Sequence, residues 1–248
     1  MCLWVLPRPA LWDDGSARDG SEWLWGTTMS ELVVASLLAG TLGVGQPGWI
    51  GVEYTIAPGW HIYWKNPGQS GIPTEVTPTL PEGWSAGEAV YPGPHRFMMP
   101  GELVNYGYAD AMTLLIPVTA ASEPAGTITV ATRWLVCREE QCVPGRATLT
   151  LELPSEPTLD EAQAQAPLPA SLPEDARQSR STQGLSLHVP GLSLLEVFPD
   201  TEAERAVLQA AVQGEHARIW FKEEPVAGST LVVRGEQDGA ERFYRVTL

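Results

Sequence analysis

Positive charge is scarce in this chain. Lys and Arg number 15 against 30 Asp and Glu, a formal net charge of -15 over 248 residues, and a surface of that sign repels a phosphate backbone rather than condensing on it. Nucleic-acid binding is therefore excluded as the default reading. Charged residues of both signs make up only 18% of the chain, against about 25% in an average globular protein, which speaks against long solvated helices. Cysteine is nearly absent: Cys2, Cys137 and Cys142 are too few for a disulfide-framework miniprotein. Only Leu32 to Val52 runs without charge for a membrane-spanning length. Gly40, Gly43, Gly45, Pro47 and Gly48 interrupt that run, and Gln46-Pro47-Gly48 is turn chemistry, so two strands joined by a loop are predicted there. Met1 to Thr28 has no basic segment followed by an apolar one, so no secretory signal is readable.

Glycine and proline are abundant, at 24 and 22 residues, and 44% of the chain is hydrophobic. Many turns, short strands and a real core fit that balance, as one large domain or two small ones. Strict alternation recurs. Ile50, Val52, Tyr54 and Ile56 share one face; Ile128, Val130, Thr132, Trp134 and Val136 repeat the pattern; Ala147, Leu149, Leu151 and Leu153 do so again. Met112 to Thr119 adds another strand, and Gly-Pro clusters punctuate the whole. The expected architecture is all-β: an antiparallel, immunoglobulin-like sandwich over residues 29–154 after an unassigned segment 1–28. Residues 155–180, rich in Pro, Ala, Glu and Gln, are expected to form a linker. Residues 181–248 are expected to form a second, smaller β-rich sandwich. Within it, Thr201-x-x-Glu204 makes a capping box ahead of Ala206, Val207, Ala210 and Ala211 and predicts a helix.

Cys137 and Cys142 flank Arg138 to Gln141, between two alternating segments. This is a hairpin with cysteines across its mouth, where cross-strand Cα spacing of about 4.5–5.5 Å suits a disulfide. Closing so short a loop stabilises by roughly 2 kcal/mol, which makes a weak staple and a well-placed switch. Spacing alone leaves open a structural disulfide, two buried free thiols, or a redox pair. Zinc would need further ligands than Cys2 and four scattered histidines supply. Glu139 and Glu140 oppose Arg138 in setting the thiol pKa, so no strongly activated thiolate is implied.

Pro58-Gly59-Trp60-His61-Ile62-Tyr63-Trp64-Lys65-Asn66-Pro67-Gly68, then Gly71-Ile72-Pro73, Tyr106-Gly107-Tyr108, and Trp134-Leu135-Val136-Cys137 with Cys142-Val143-Pro144 together resemble the N-terminal periplasmic region of the thiol:disulfide interchange protein DsbD family, in its ScsB-like form. Leu194 to Pro199 resembles the opening of the second domain of the ScsB type. The resemblance implies a periplasmic sandwich whose cysteine pair relays electrons between a membrane-embedded DsbD/ScsB-type hub and thioredoxin-fold proteins. It implies a protein-disulfide reductase-type component with no cofactor and no metal, Cys137 and Cys142 as the redox pair, and Cys142 as the sulfur that forms the mixed disulfide. It also implies a loop, Phe97, Met98 and Met99, that caps the cysteines. The hub and a thioredoxin module have no counterpart here, so a fragment or a subunit meeting its reductant in trans is expected. The four-residue cysteine gap departs from the longer enterobacterial gap and from the shorter one of many ScsB-like sequences.

Two local readings stand beside this one. Trp60, Ile62 and Trp64 alternate with His61 and Tyr63, which predicts core packing on one face and a hydrogen-bonded His on the other. A partner platform or sugar-stacking surface is the alternative use of the same aromatics. His95, Met98 and Met99 could form a soft copper site with a thiolate. The competing function is accordingly a non-catalytic β-sandwich binding module, for protein or copper, with a structural hairpin disulfide.

Overall fold

The alternating segment around Val52 becomes a ten-residue strand that sends Ile50, Val52, Tyr54 and Ile56 into the core, each at most 3% exposed. The computed structural model describes residues 32–139, 141–181, 183–200 and 207–248. In it, β1 (Val33–Ala39), β2 (Pro47–Ile56), β5 (Ser85–Ala86) and β8 (Ala111–Thr119) form one antiparallel sheet in the order β1-β2-β8-β5. The charge-free stretch Leu32 to Val52 is thus strand, loop and strand. Among the described residues no helix is long and apolar enough to cross a membrane.

The facing sheet runs β10-β9-β3-β7-β6, from β10 (Gln141–Leu153) through β9 (Gly126–Arg138), β3 (His61–Gly68) and β7 (Leu103–Tyr108) to the edge strand β6 (His95–Met99). Strand β9 organises it. One edge pairs with β10 along its whole length; the other is shared, with β4 (Glu75–Thr79) beside its middle and β3 beside its C-terminal end. Ile62, Trp64, Ile128, Val130, Trp134 and Val136 point inward to meet the first sheet. Fully burying one such side chain is worth about 1.5–3 kcal/mol, so this face dominates the energetics. Tyr54 and Trp134 meet edge-on at 5.8 Å, and the Tyr54 hydroxyl bonds to Thr132, which satisfies two polar groups inside the core.

A second sandwich follows. Its sheets are β11-β18-β17-β14 and β12-β13-β16-β15, built from β11 (Ala170–Ser171), β12 (Arg177–Ser181), β13 (Gly184–His188), β14 (Ser193–Pro199), β15 (Val207–Gln213), β16 (His216–Phe221), β17 (Thr230–Gln237) and β18 (Ala240–Thr247). Leu185, Leu187, Ile219, Leu231, Val233 and Val246 fill it. The helix expected from the capping box is not there: Thr201 to Ala206 lie outside the described residues, and Val207–Gln213 is a strand. Alternation of Ala210 and Val212, which pack on the second core while β15 pairs with β16, outweighs a local capping signal.

Residues 155–180, expected as a linker, hold β11, β12 and a short helix, α1 (Glu161–Gln165). Asp160 caps α1 by accepting from the Gln163 amide at 3.0 Å. Leu159 and Ala164 cover Leu115 on the outer face of the first sheet, and the Thr158 and Leu159 amides both donate to the Ala39 carbonyl. Five residues of helix are too short to leave a readable period.

The two sandwiches share a core as well as a chain. Phe198, Val232 and Phe243 of the second belong to the apolar cluster of the first. Around them Lys65 pairs with Asp200 at 2.7 Å, Asn66 Nδ2 donates to the Pro199 carbonyl at 2.7 Å, and Glu196 bridges Arg96 and Arg234.

Candidate functional site

The register of the β9–β10 hairpin sets the cysteines directly opposite each other. Arg138 faces Gln141 across the turn, and Cys137 faces Cys142 one step back. In the turn between them Glu139 takes the left-handed region at φ 46°. The two cysteines are joined as a disulfide with Cα atoms 4.1 Å apart, the closer, non-hydrogen-bonded type of cross-strand pair.

The two sulfurs have different surroundings. Cys137 is 0% exposed, whereas Cys142 lies on an exposed edge strand. Burial of Cys137 does not come from the sandwich core, because the inward residues of β9 are Trp134 and Val136 and Cys137 falls on the opposite, outer face. What covers it belongs to the neighbouring strands. His61 is its cross-strand partner on β3, and Val136 faces Ile62 beside it. The His61 ring stacks on Phe97 of β6, with centroids 4.5 Å apart and planes 12° from parallel, and meets Tyr63 edge-on at 5.3 Å. An outer-face layer of Tyr63, His61 and Phe97 thus lies beside the buried end of the bridge.

That layer is held from behind. Tyr63 is 1% exposed, its hydroxyl accepting from Asn105 Nδ2 at 3.4 Å, while Asn105 Oδ1 receives the Ser70 amide and hydroxyl. Gly71, at φ 100°, passes so close to the Tyr63 ring that a side chain there would collide with it. On the other side of the hairpin, the Arg138 guanidinium lies 4.9 Å over the Trp60 ring and ties the turn to the start of β3.

Burial pushes the His61 imidazole below its ordinary protonation range and the Tyr63 phenol above its own, the latter partly offset by the Asn105 bond. Both rings are neutral at pH 7. The expectation of a hydrogen-bonded His61 is not met: it is 4% exposed and its Nε2 is buried with no hydrogen-bond partner. Trp60, Ile62 and Trp64 occupy the core, as their alternation implies. Of the three expected cap residues, Phe97 is half-buried on His61, Met98 is 62% exposed, and Met99 is half-buried opposite Leu103.

The copper reading loses its histidine. His95 Nδ1 is 2.9 Å from an Arg234 amino group, its Nε2 is 3.8 Å from Glu241, and its ring stands edge-on to Phe243. His95 is thereby part of the contact between the sandwiches. The residue that sequence reasoning undervalued is His61. Its place on the face opposite the core was readable from alternation, but its pairing with Cys137 depends on register across strands 76 residues apart, which local pattern does not encode.

Comparison with known proteins bears on this site directly. The family model for the N-terminal region of the thiol:disulfide interchange protein DsbD matches residues 34–154. The crystal structure of the N-terminal periplasmic domain of ScsB from Proteus mirabilis aligns over 87% of this chain and 91% of its own, with a TM-score of 0.61 and 20% identity. That likeness is one of fold, and it extends past the family match into the second sandwich. The reduced N-terminal domain of Neisseria meningitidis DsbD aligns over 51% of this chain and 89% of its own, at 13% identity and a TM-score of 0.37, too low to carry an argument. No curated protein matches the sequence. The matched segment contains both sheets of the first sandwich and the whole cysteine hairpin, so residues 34–154 form a DsbD N-terminal-like domain.

Proposed function

We propose that this protein is a periplasmic thiol–disulfide exchange component that carries electrons between a membrane-embedded hub of the DsbD/ScsB type and thioredoxin-fold proteins. The observation that carries the reading is the asymmetric bridge: one sulfur exposed at a hairpin edge, the other enclosed. Exchange requires an attackable sulfur and a leaving sulfur that stays in place to act again. In the reducing direction a partner thiolate attacks Cys142 Sγ, the Cys137–Cys142 bond breaks with its electron pair going to Cys137, and a mixed disulfide forms at Cys142. The partner's second thiolate then displaces Cys142, leaving two thiols here and a disulfide on the partner, two electrons and two protons having moved. The return leg is the reverse, with Cys142 attacking the disulfide of an oxidised thioredoxin-fold protein and Cys137 resolving. Phe97, backed by Met98 and Met99 on the same edge strand, serves as the cap over this site.

Equilibration with dithiothreitol or glutathione should place the potential of the bridge above the roughly -300 mV typical of inert structural disulfides. Cys137→Ser should trap a covalent complex with a thioredoxin-fold protein through Cys142, and Cys142→Ser should trap none. A potential below that limit together with no exchange would leave a structural staple in a binding module. Complexes formed only by Cys142→Ser would reverse the roles of the two sulfurs.

A further inference from the structure

We infer that His61 is the base that takes the proton from Cys137 when this buried thiol resolves a mixed disulfide held at Cys142. The inference rests on the exchange reading above. Cys137 is 0% exposed in the bridge, and for a thiol at that position burial disfavours the thiolate that must attack. A resolving cysteine so placed needs a proton acceptor within reach, and the acceptor must be unprotonated at working pH.

His61 meets these conditions by placement. It is the direct cross-strand partner of Cys137, and side chains of such pairs have Cβ atoms about 4.5–5.5 Å apart on one face. Its Nε2 is buried and has no hydrogen-bond partner, a state native folds avoid because the atom has given up water without a replacement, and one that therefore asks for a reason. Phe97 stacked on one side and Tyr63 set edge-on hold the ring in place. Charges do not compete for it. Lys65 on β3 pairs with Asp200, Arg96 on β6 with Glu196, and Arg133 on β9 with Glu75; Arg138 lies over Trp60, and His95 contacts Arg234 and Glu241. Glu139 sits exposed in the turn; β7 carries no charged residue, and its Tyr108 phenol donates to the Pro92 carbonyl; among the described residues the titratable groups set directly against His61 are the Tyr63 phenol and Cys137.

The Cys137 Sγ–H proton passes to the neutral His61 imidazole. The thiolate attacks Cys142 Sγ, the Cys137–Cys142 bond forms, and the bond from Cys142 to the partner sulfur breaks with its electron pair leaving on the partner. The partner thiolate is reduced, the Cys137–Cys142 pair is oxidised, and the proton leaves His61 for solvent or for the departing thiolate.

The test uses the reduced, full-length protein carrying Cys2→Ser, so that Cys137 and Cys142 are the two thiols present, and 5,5′-dithiobis(2-nitrobenzoate) as probe. Attack by Cys142 releases one thionitrobenzoate; resolution by Cys137 releases the second, and stopped-flow absorbance separates the two. In the wild type the second phase should be nearly independent of pH above about 7 and fall below the ordinary imidazole range of about 6.5. In His61→Phe, which keeps a ring against Phe97, it should be about 100-fold slower at pH 7 and rise about tenfold per pH unit as hydroxide takes over. The first phase should be unchanged. His61→Gln, uncharged and polar, should behave like His61→Phe and stands in for it if the larger ring disturbs folding. A second phase within about twofold of wild type in either variant, or a slower phase that keeps the wild-type pH profile, overturns the assignment. No second release from the wild type overturns the exchange reading together with it.

Discussion

At the scale of single residues, the bridge is unequal because β9 ends on its outer face. Cys137 continues the parity of Leu135 and Arg133, away from the sandwich core, yet it is enclosed while Arg133 is exposed. The difference lies in neighbours: β4 lies beside Arg133, and β3 with its His61 lies beside Cys137. Phe97, the cap residue of the proposed function, stacks on His61 and belongs to none of the apolar cores among the described residues. Replacing it with Ala should therefore cost less than the roughly 3–5 kcal/mol of a core Phe→Ala change. The same variant should be reduced several-fold faster by dithiothreitol, since the ring stacked on His61 is gone. Unchanged reduction kinetics with a full core-sized loss in urea unfolding would show that Phe97 is a packing residue and the cysteines have no cap.

At the scale of elements, the proposed cap rests on the edge strand β6 and on its inner neighbour β7, and the attachment of both is narrow. Among the described residues β6 pairs only with β7, and β7 meets β3 through Ile62↔Tyr108 and Tyr63↔Gly107 before its register breaks. At Gly107 the two backbones come so close that a Cβ would run into the Ile62 carbonyl oxygen. Gly107→Ala should therefore destabilise by about 1–3 kcal/mol, the range for forced overpacking, and should also speed reduction of the bridge because β7 carries β6. Denaturant unfolding and reduction kinetics on one variant check both; normal stability would mean that β7 can shift without cost. These elements also show what local sequence encodes. Period-two alternation located β2, β9 and β10, because each has one face on the core and one outside, and it put His61 on the correct face. It did not reveal β6, β7 or the Tyr63–Asn105 bond: these follow from pairings between distant segments. The close approach at Gly107 follows from its pairing with Tyr63 on β3, which the Tyr106-Gly107-Tyr108 motif does not itself encode. In the second sandwich the same limit worked in reverse, since a capping-box pattern at Thr201 was read without sight of β16, which recruits Val207–Gln213 as a neighbouring strand.

At the scale of the whole molecule, the second sandwich reaches β6, the strand of the proposed cap. Strand β6 is tied to it at both His95 and Arg96, through Arg234, Glu241 and Glu196. These ion pairs are partly exposed, and each such pair contributes no more than about 1 kcal/mol; they orient the strand more than they stabilise it. The energy of the contact lies in the rings beneath. Phe243 is 5% exposed and packs so tightly on the backbone of Gly93 that a side chain there would overlap it. Phe198 is 0% exposed and meets Trp64 and Tyr106 edge-on at 6.4 and 5.3 Å. Two sandwiches that complete one another's core lose those contacts together, so heating should unfold the protein in a single calorimetric transition with equal van't Hoff and measured enthalpies. Phe243→Ala removes a ring from that shared cluster and should cost about 3–5 kcal/mol. It should also split the transition in two, with the bridge becoming more reducible at temperatures below either midpoint as β6 loses its support. A wild type that already melts in two separate steps, or a Phe243→Ala variant that lowers only the second of them, would mean that the sandwiches are stable independently and that the cap is held by the first alone.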